Sequence, residues 1–148
     1  MVVPPLPETA DIVRRVRRAV AGARAAAVRR REQVTAAEVE GQAVLEGLVA
    51  PLFKKVASVL AAEGHRFSVS TPVGAVRLSR NASADDFVEV ALDTSQDPPA
   101  LVGRAAWVWG QRVRQDERTV AEHPDIGLLT ADAVLDFLLA AIAPLVQR

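Results

Sequence analysis

Apolar residues recur at spacings of three and four along residues 35–64, a pattern typical of an amphipathic helix that buries one face. Thr35 and Glu38 have the T-x-x-E spacing of a capping box, in which each side chain accepts the other residue's backbone N–H. Gly64 stands where a left-handed residue ends a helix. Pro51 should disturb the helix, because it lacks a backbone N–H. The apolar positions are Leu45, Leu48, Leu52, Val56, Val59 and Leu60.

A second, weaker helical pattern lies in residues 1–34. Asp11 precedes Arg14 and Arg15 by three and four positions, which is a stabilising spacing on a helix. Its apolar seam is thin, because alanine buries little area. The seam consists of Ile12, Val16, Ala19, Ala23 and Ala26. We therefore predict a basic N-terminal helical arm over residues 1–34, linked to a single α+β domain over residues 35–148.

Beyond Gly64 the apolar period changes from 3.6 to 2. Residues 66–71, 76–79 and 87–93 alternate apolar and polar side chains, which predicts half-buried strands. Matching the apolar faces predicts the register of an antiparallel meander and brings opposite charges together. The predicted cross-strand pairs are Leu78 with Val88, Val76 with Val90, Arg77 with Glu89, and Arg80 with Asp86.

The stretch from residue 94 to residue 122 has two interpretations. Trp107-Val108-Trp109 could alternate in a strand, but Asp97 followed by two prolines favours the start of a helix. We predict a helix over residues 98–109 that ends at Gly110. A short hairpin would follow it, with residues 112–114 and 119–121 as its strands.

The last element is a C-terminal helix that Thr130 should cap. Its apolar stripe consists of Val134, Leu135, Leu138, Leu139, Ile142 and Leu145. The predicted fold class is therefore α+β. It has N-terminal helices, an antiparallel sheet in the order βββ-α-ββ packed on helices, and a C-terminal helix.

No residue pattern in the chain indicates catalysis. The absence of cysteine excludes thiolate nucleophiles and cysteine-ligated zinc, and the nucleotide and nucleophile-elbow motifs are missing. His65 and His123 lack metal-ligand spacing. Residues 93–97 open like a calcium loop, but Pro98 and Arg104 stand where such a loop needs Gly and Glu. We therefore predict no enzyme, no cofactor, no metal and no small-molecule substrate.

The net charge of zero conceals an asymmetry between the two parts of the chain. Residues 1–34 carry eight arginines against three acidic residues, and residues 35–148 have a net charge of −5. A cationic stripe on a helix can follow nucleic-acid phosphates. The alternative function is thus a nucleic-acid-binding protein that uses Arg14, Arg17, Arg24 and Arg31. The competing interpretation is a solvated helix face that contacts the acidic body of a partner subunit.

Without the first helix, the predicted order α-βββ-α-ββ-α resembles the type III secretion chaperone-like fold and the YbjN-like proteins that share it. Residues 127–139 (GLLTADAVLDFLL) look like the closing helix of YbjN-like chains, and residues 62–69 (AEGHRFSV) look like their first helix-to-strand junction. The resemblance covers residues 36–145, and the basic arm is not part of it. It implies a homodimer that binds polypeptide segments or acts as an adaptor, and it supplies no catalytic residues.

These observations predict a non-enzymatic protein-binding module whose partners are a second copy and an unidentified protein or peptide. It would capture an extended segment through apolar contacts and a sheet edge. The predicted partner-binding residues are Phe67, Val69, Trp107 and Trp109. No secretory signal and no uncharged apolar stretch of about 18 residues is evident. We expect a cytoplasmic protein, and its high arginine and alanine content suggests a bacterial one.

Overall fold

The structure is a computed structural model that describes residues 1–147. The chain divides into two compact units, Met1–Gln33 and Val34–Arg148. Helix α1 spans Thr9–Val44, a π-helical turn spans Leu45–Val49, and helix α2 spans Ala50–Ala62. Five strands and helix α3 follow in the order β1 Phe67–Ser70, β2 Ala75–Arg80, β3 Ser83–Asp93, β4 Ala100–Trp109, β5 Arg112–Glu122 and α3 Ala131–Val146.

The predicted break between two N-terminal helices is wrong. Helix α1 continues through Thr35, which lies inside it and does not cap a new helix. Between Gly22 and Gly41 the sequence has neither glycine nor proline and is rich in alanine, arginine and glutamate. These residues favour the helix strongly, so the capping-box spacing alone does not start a new one.

The disturbance predicted at Pro51 takes the form of the π-helical turn that precedes it. The backbone N–H of Ala50 donates to the carbonyl of Leu45, five residues back. Proline fits at the start of α2, because residues in the first turn do not need all of their N–H donors. The predicted end of the helix is also confirmed. Gly64 has φ of +90°, and the N–H of His65 donates to the carbonyl of Leu60 at 2.8 Å.

The five strands form one antiparallel sheet in sequence order, β1-β2-β3-β4-β5. The predicted pairs of Leu78 with Val88, Val76 with Val90, and Arg77 with Glu89 are confirmed. A register shift between Ser79 and Arg80 places Arg80 opposite Ser83, so the predicted register fails at that end. The guanidinium of Arg80 nevertheless lies 2.8 Å from the carboxylate of Asp86.

Two predictions about residues 94–122 are wrong. The predicted helix over residues 98–109 is strand β4, and the predicted hairpin over residues 112–121 is the single strand β5. β4 is almost fully buried from Ala100 to Ala106, because it lies inside the sheet. Its sequence therefore reads as a continuous apolar run that resembles a buried helix. The described residues 94–99, which connect β3 to β4, contain no helix.

Helices α2 and α3 pack on one side of the sheet, which we call the inner face. Its residues include Leu78, Val88, Val90, Leu101 and Ala105, which form one core with the helices. α2 contacts β1 and β2, and α3 contacts β3, β4 and β5. The predicted cap of α3 is confirmed, since the Thr130 hydroxyl accepts the N–H of Ala133 at 3.2 Å. The other side of the sheet is the outer face.

Within residues 1–147, none of the helices has both the length and the apolar character needed to cross a membrane.

Candidate functional site

β5 is an edge strand of the sheet in the second unit. It is last in the sheet order and, over residues 1–147, pairs with β4 alone. The strand is 11 residues long, and every residue in 112–119 is exposed. An edge strand offers unpaired N–H and C=O groups to another chain. β5 is therefore positioned to accept an additional strand.

The turn before β5 determines which of its backbone groups point outward. Gly110 and Gln111 form a two-residue connection, and Trp109 pairs directly with Arg112. Gly110 has φ of +64°, as the first central residue of a type II′ turn requires. Residues that flank such a turn exchange hydrogen bonds with each other. Because the backbone groups of successive residues point to opposite sides of a strand, the N–H and C=O groups of residues 113, 115 and 117 point away from β4.

A row of alternating charges crosses the outer face and ends on β5. Arg77, Glu89, Arg104 and Glu117 are register partners on β2, β3, β4 and β5 in turn. Arg77 Nη2 lies 3.1 Å from Glu89 Oε2, and Arg104 Nε lies 3.2 Å from Glu117 Oε2. The side chain of Glu89 is 9% exposed and that of Glu117 is 54% exposed. The row therefore becomes accessible toward the edge and terminates in a carboxylate.

A shallow depression borders this row on the side of the Gly110 turn. Phe87, Ala106 and Gln115 lie in one register row across β3, β4 and β5 and line the depression together with Arg104 and Glu117. The guanidinium of Arg77 stands 4.0 Å from the centre of the Phe87 ring. The depression thus combines an apolar floor with a charged rim.

On the inner face, the ring of Phe137 on α3 lies beside β5. The guanidinium of Arg118 lies 5.0 Å from the centre of the Phe137 ring. The same ring packs against the backbone of Gly103, the register partner of Arg118. The sheet edge is therefore supported from one side and open on the other.

The predicted partner-binding residues occupy two strands that are not neighbours. Phe67 is buried in β1, and Val69 on the same strand packs against the core. Trp107 on β4 also packs against the core, whereas Trp109 at the end of β4 is 55% exposed. β2 and β3 lie between β1 and β4. Strand pairing therefore does not bring the four residues together.

The predicted nucleic-acid-binding residues all lie in α1 within the first unit. Arg14, Arg17, Arg24 and Arg31 are exposed. Arg14 and Arg15 contact the carboxylate of Asp11 at 3.0 and 3.1 Å, the predicted spacing of three and four residues. The structure thus offers a solvated cationic helix surface.

Asp93, the first residue of the stretch that resembles a calcium loop, is hydrogen-bonded within its own loop. Asp93 accepts hydrogen bonds from the hydroxyl and backbone N–H of Ser95 and from the amide of Gln96. These bonds, led by the Ser95 hydroxyl, lower the pKa of Asp93 below its ordinary value of 3.8. Over the described residues, no group of three or more His, Cys, Asp or Glu side chains is arranged to hold a metal ion.

Sequence reasoning missed the β5 edge, because the predicted hairpin divided this strand in two. All residues in 112–119 are exposed, so no buried position marks one face of this strand and hydrophobic alternation gives no signal for it. No protein-family model, curated protein or solved structure matches this chain.

Proposed function

We propose that this chain is a non-enzymatic, chaperone-like or adaptor-like protein-binding module of the cytoplasm. It binds an extended segment of another polypeptide by adding that segment to the sheet beside β5. The observation that carries the proposal is the length and exposure of β5, whose outer backbone edge has no neighbouring strand in the part of the chain that the structure describes. Residues 62–69 and 127–139, which look like parts of YbjN-like chains, support the same function, whereas the helix that this resemblance places between the third and fourth strands is replaced by strand β4.

The edge is suited to selective rather than indiscriminate binding. Charged residues along an edge strand discourage aggregation with other sheets, and β5 carries six of them, Arg112, Arg114, Asp116, Glu117, Arg118 and Glu122. Main-chain hydrogen bonds would supply affinity, and the side chains of the outer face would supply selectivity.

A proline on β5 tests this mechanism. Gln115→Pro removes one outward N–H donor and places a ring at the edge, a position that folded edge strands tolerate. Gln115→Thr is the matched control, because it keeps the donor and favours a strand. In pull-downs from the source cell, we expect Gln115→Pro to lose polypeptides that the wild type and Gln115→Thr both retain. An identical set of captured proteins for all three would reject edge capture.

We propose further that the module is a homodimer. The first unit supports this, because Ile12, Val13, Val16 and Val20 form an apolar stripe that is 40–55% exposed. Burying such a stripe against another helix is the usual way to stabilise a long amphipathic helix. Light scattering coupled to gel filtration should give twice the chain mass of 15.8 kDa. A strict monomer across micromolar concentrations would reject the dimer.

A second candidate function is nucleic-acid binding by α1, which its exposed arginines favour. Each lost phosphate contact reduces the slope of log affinity against log salt by about 0.9 on duplex DNA. The variant Arg17→Gln/Arg24→Gln should therefore show a shallower slope, by about 2, if α1 follows phosphates. Arg112→Gln/Arg114→Gln on β5 is the control of equal charge. Equal effects of both variants would indicate only a general charge attraction.

A further inference from the structure

The row of alternating charges on the outer face ends at Glu117, so a strand added beside β5 would supply the next residue of the row. Charges alternate in sign from Arg77 through Glu89 and Arg104 to Glu117, one residue on each successive strand. A strand added at the β5 edge would place one of its residues directly opposite Glu117. Opposite charges facing each other across strands attract, and like charges repel.

Glu117 has the capacity to accept this additional contact. Its Oε2 atom meets Arg104 at 3.2 Å, and its side chain is 54% exposed. An ionised carboxylate has two oxygens and about four acceptor sites. A basic side chain opposite Glu117 can therefore bind it without displacing Arg104.

A second copy of β5 is poorly suited to this position. The residues of β5 whose backbone groups point away from β4 also have their side chains on the outer face. Besides Glu117 they are Val113, Gln115 and Thr119. In an antiparallel pair of two β5 strands, these residues of one copy would lie opposite the same set of residues in the other copy. None of them is basic, so two β5 strands would leave Glu117 opposite a neutral residue or another Glu117.

From this charge order we infer that the β5 edge selects a foreign extended segment with Lys or Arg opposite Glu117. Two positions further toward the Gly110 turn, the segment would carry an apolar residue opposite Gln115. That residue would rest over the depression floored by Phe87 and Ala106. The inference rests on the proposed edge capture and specifies the chemistry of its partner.

A random library of linear nonapeptides, selected on the full-length protein, provides the probe. We expect the wild type to enrich peptides with Lys or Arg at one fixed position of an alternating pattern. Glu117→Lys should reverse the preference at that position to Asp or Glu. Asp116→Lys is the matched control, because it makes the same charge change on the adjacent residue, which faces the inner side. It should leave the preference unchanged.

The binding affinity of one enriched peptide then measures the size of the charge preference. Replacing its basic residue by Glu should weaken binding to the wild type by about tenfold, since an attractive pair becomes a repulsive one. The same replacement should strengthen binding to Glu117→Lys. Circular dichroism and thermal unfolding establish that each variant is folded before its selection is interpreted.

The outcomes separate this inference from the proposed function. Enriched peptides that lose binding to Gln115→Pro but show no basic preference would overturn the selectivity and leave edge capture standing. A basic preference that Asp116→Lys alters as much as Glu117→Lys would also overturn it. If no enriched peptide is sensitive to Gln115→Pro, both the inference and edge capture fail.

Discussion

The ring of Phe137 occupies the space that a side chain at residue 103 would need. A Cβ atom on Gly103 would lie 2.4 Å from both Cε1 and Cζ of that ring. Phe137 is 5% exposed and belongs to the core between α3 and the sheet. Helix α3 can therefore approach β4 closely only because position 103 has no side chain.

Gly103→Ala should destabilise the protein by about 2–3 kcal/mol, because the ring or the helix must move to admit the methyl group. Urea unfolding followed by circular dichroism measures this free energy. Gly127→Ala is the control, since a Cβ there would meet nothing within 4 Å. We expect the control to change stability by no more than about 0.5 kcal/mol. Equal stabilities for the two variants would contradict the close approach.

Asp86 should be the most costly carboxylate to remove. Its side chain is 1% exposed, its Oδ2 lies 2.8 Å from Arg80 Nη1, and its Oδ1 accepts the N–H of Val108 at 2.8 Å. Asp86→Ala leaves a half-buried guanidinium and a backbone donor without these contacts, at a cost of about 3 kcal/mol. Denaturant unfolding is the measurement.

Two further variants divide this cost into its parts. Asp86→Asn keeps an oxygen for the Val108 N–H but loses the charge pair, so its loss of stability should be intermediate. Asp85→Ala changes the exposed neighbouring carboxylate and should cost about 0.5 kcal/mol or less. If Asp85→Ala were as damaging as Asp86→Ala, the effect would reflect overall charge rather than the buried contacts.

The strands that sequence patterns predicted are those with one buried and one polar face. β2 and β3 alternate visibly, and matching their apolar faces predicted the register that pairs Arg77 with Glu89. β4 lost this signal because residues 100–103 are all buried, so both faces read as apolar. β5 lost it for the opposite reason, because exposure along residues 112–119 leaves few buried positions to mark a face.

The candidate site required information that the sequence does not carry locally. Glu117 closes the charge row only because β4 and β5 pair in the observed register, with Arg104 opposite it. If residues 98–109 formed the predicted helix, β5 would have no β4 to pair with, and the sheet would not end in this edge. Local helix signals were likewise incomplete, since the spacing of Thr35 and Glu38 indicated a start where α1 simply continues.

Replacing glycine by alanine should destabilise the structure at residue 64 and stabilise it at residue 22. Gly64 has φ of +90°, where an L-residue is strained, so Gly64→Ala should lower stability by about 1 kcal/mol. Gly22 lies inside α1 with nothing within 4 Å of a Cβ. Gly22→Ala should therefore raise the helical circular dichroism signal, because alanine favours a helix by about 1 kcal/mol over glycine. The same sign for both variants would contradict the left-handed cap at residue 64.

Asp93 gives the protein a pH dependence whose sign follows from its hydrogen bonds. The Ser95 hydroxyl and then the Ser95 N–H stabilise the ionised carboxylate, so its pKa in the folded state lies below the ordinary 3.8. A lowered pKa stabilises the fold above the unfolded-state pKa, and this contribution disappears as the pH falls through the folded-state value.

Asp93→Asn should therefore lower the free energy of unfolding at neutral pH, and the difference from the wild type should shrink as the pH falls below the unfolded-state value of 3.8. Ser95→Ala removes the largest cause of the shift while keeping the carboxylate, so it should reproduce part of the same pH dependence. Urea unfolding across this acid range measures both variants. A stability difference that stays constant or grows toward low pH would show that ionised Asp93 is not favoured by the folded loop.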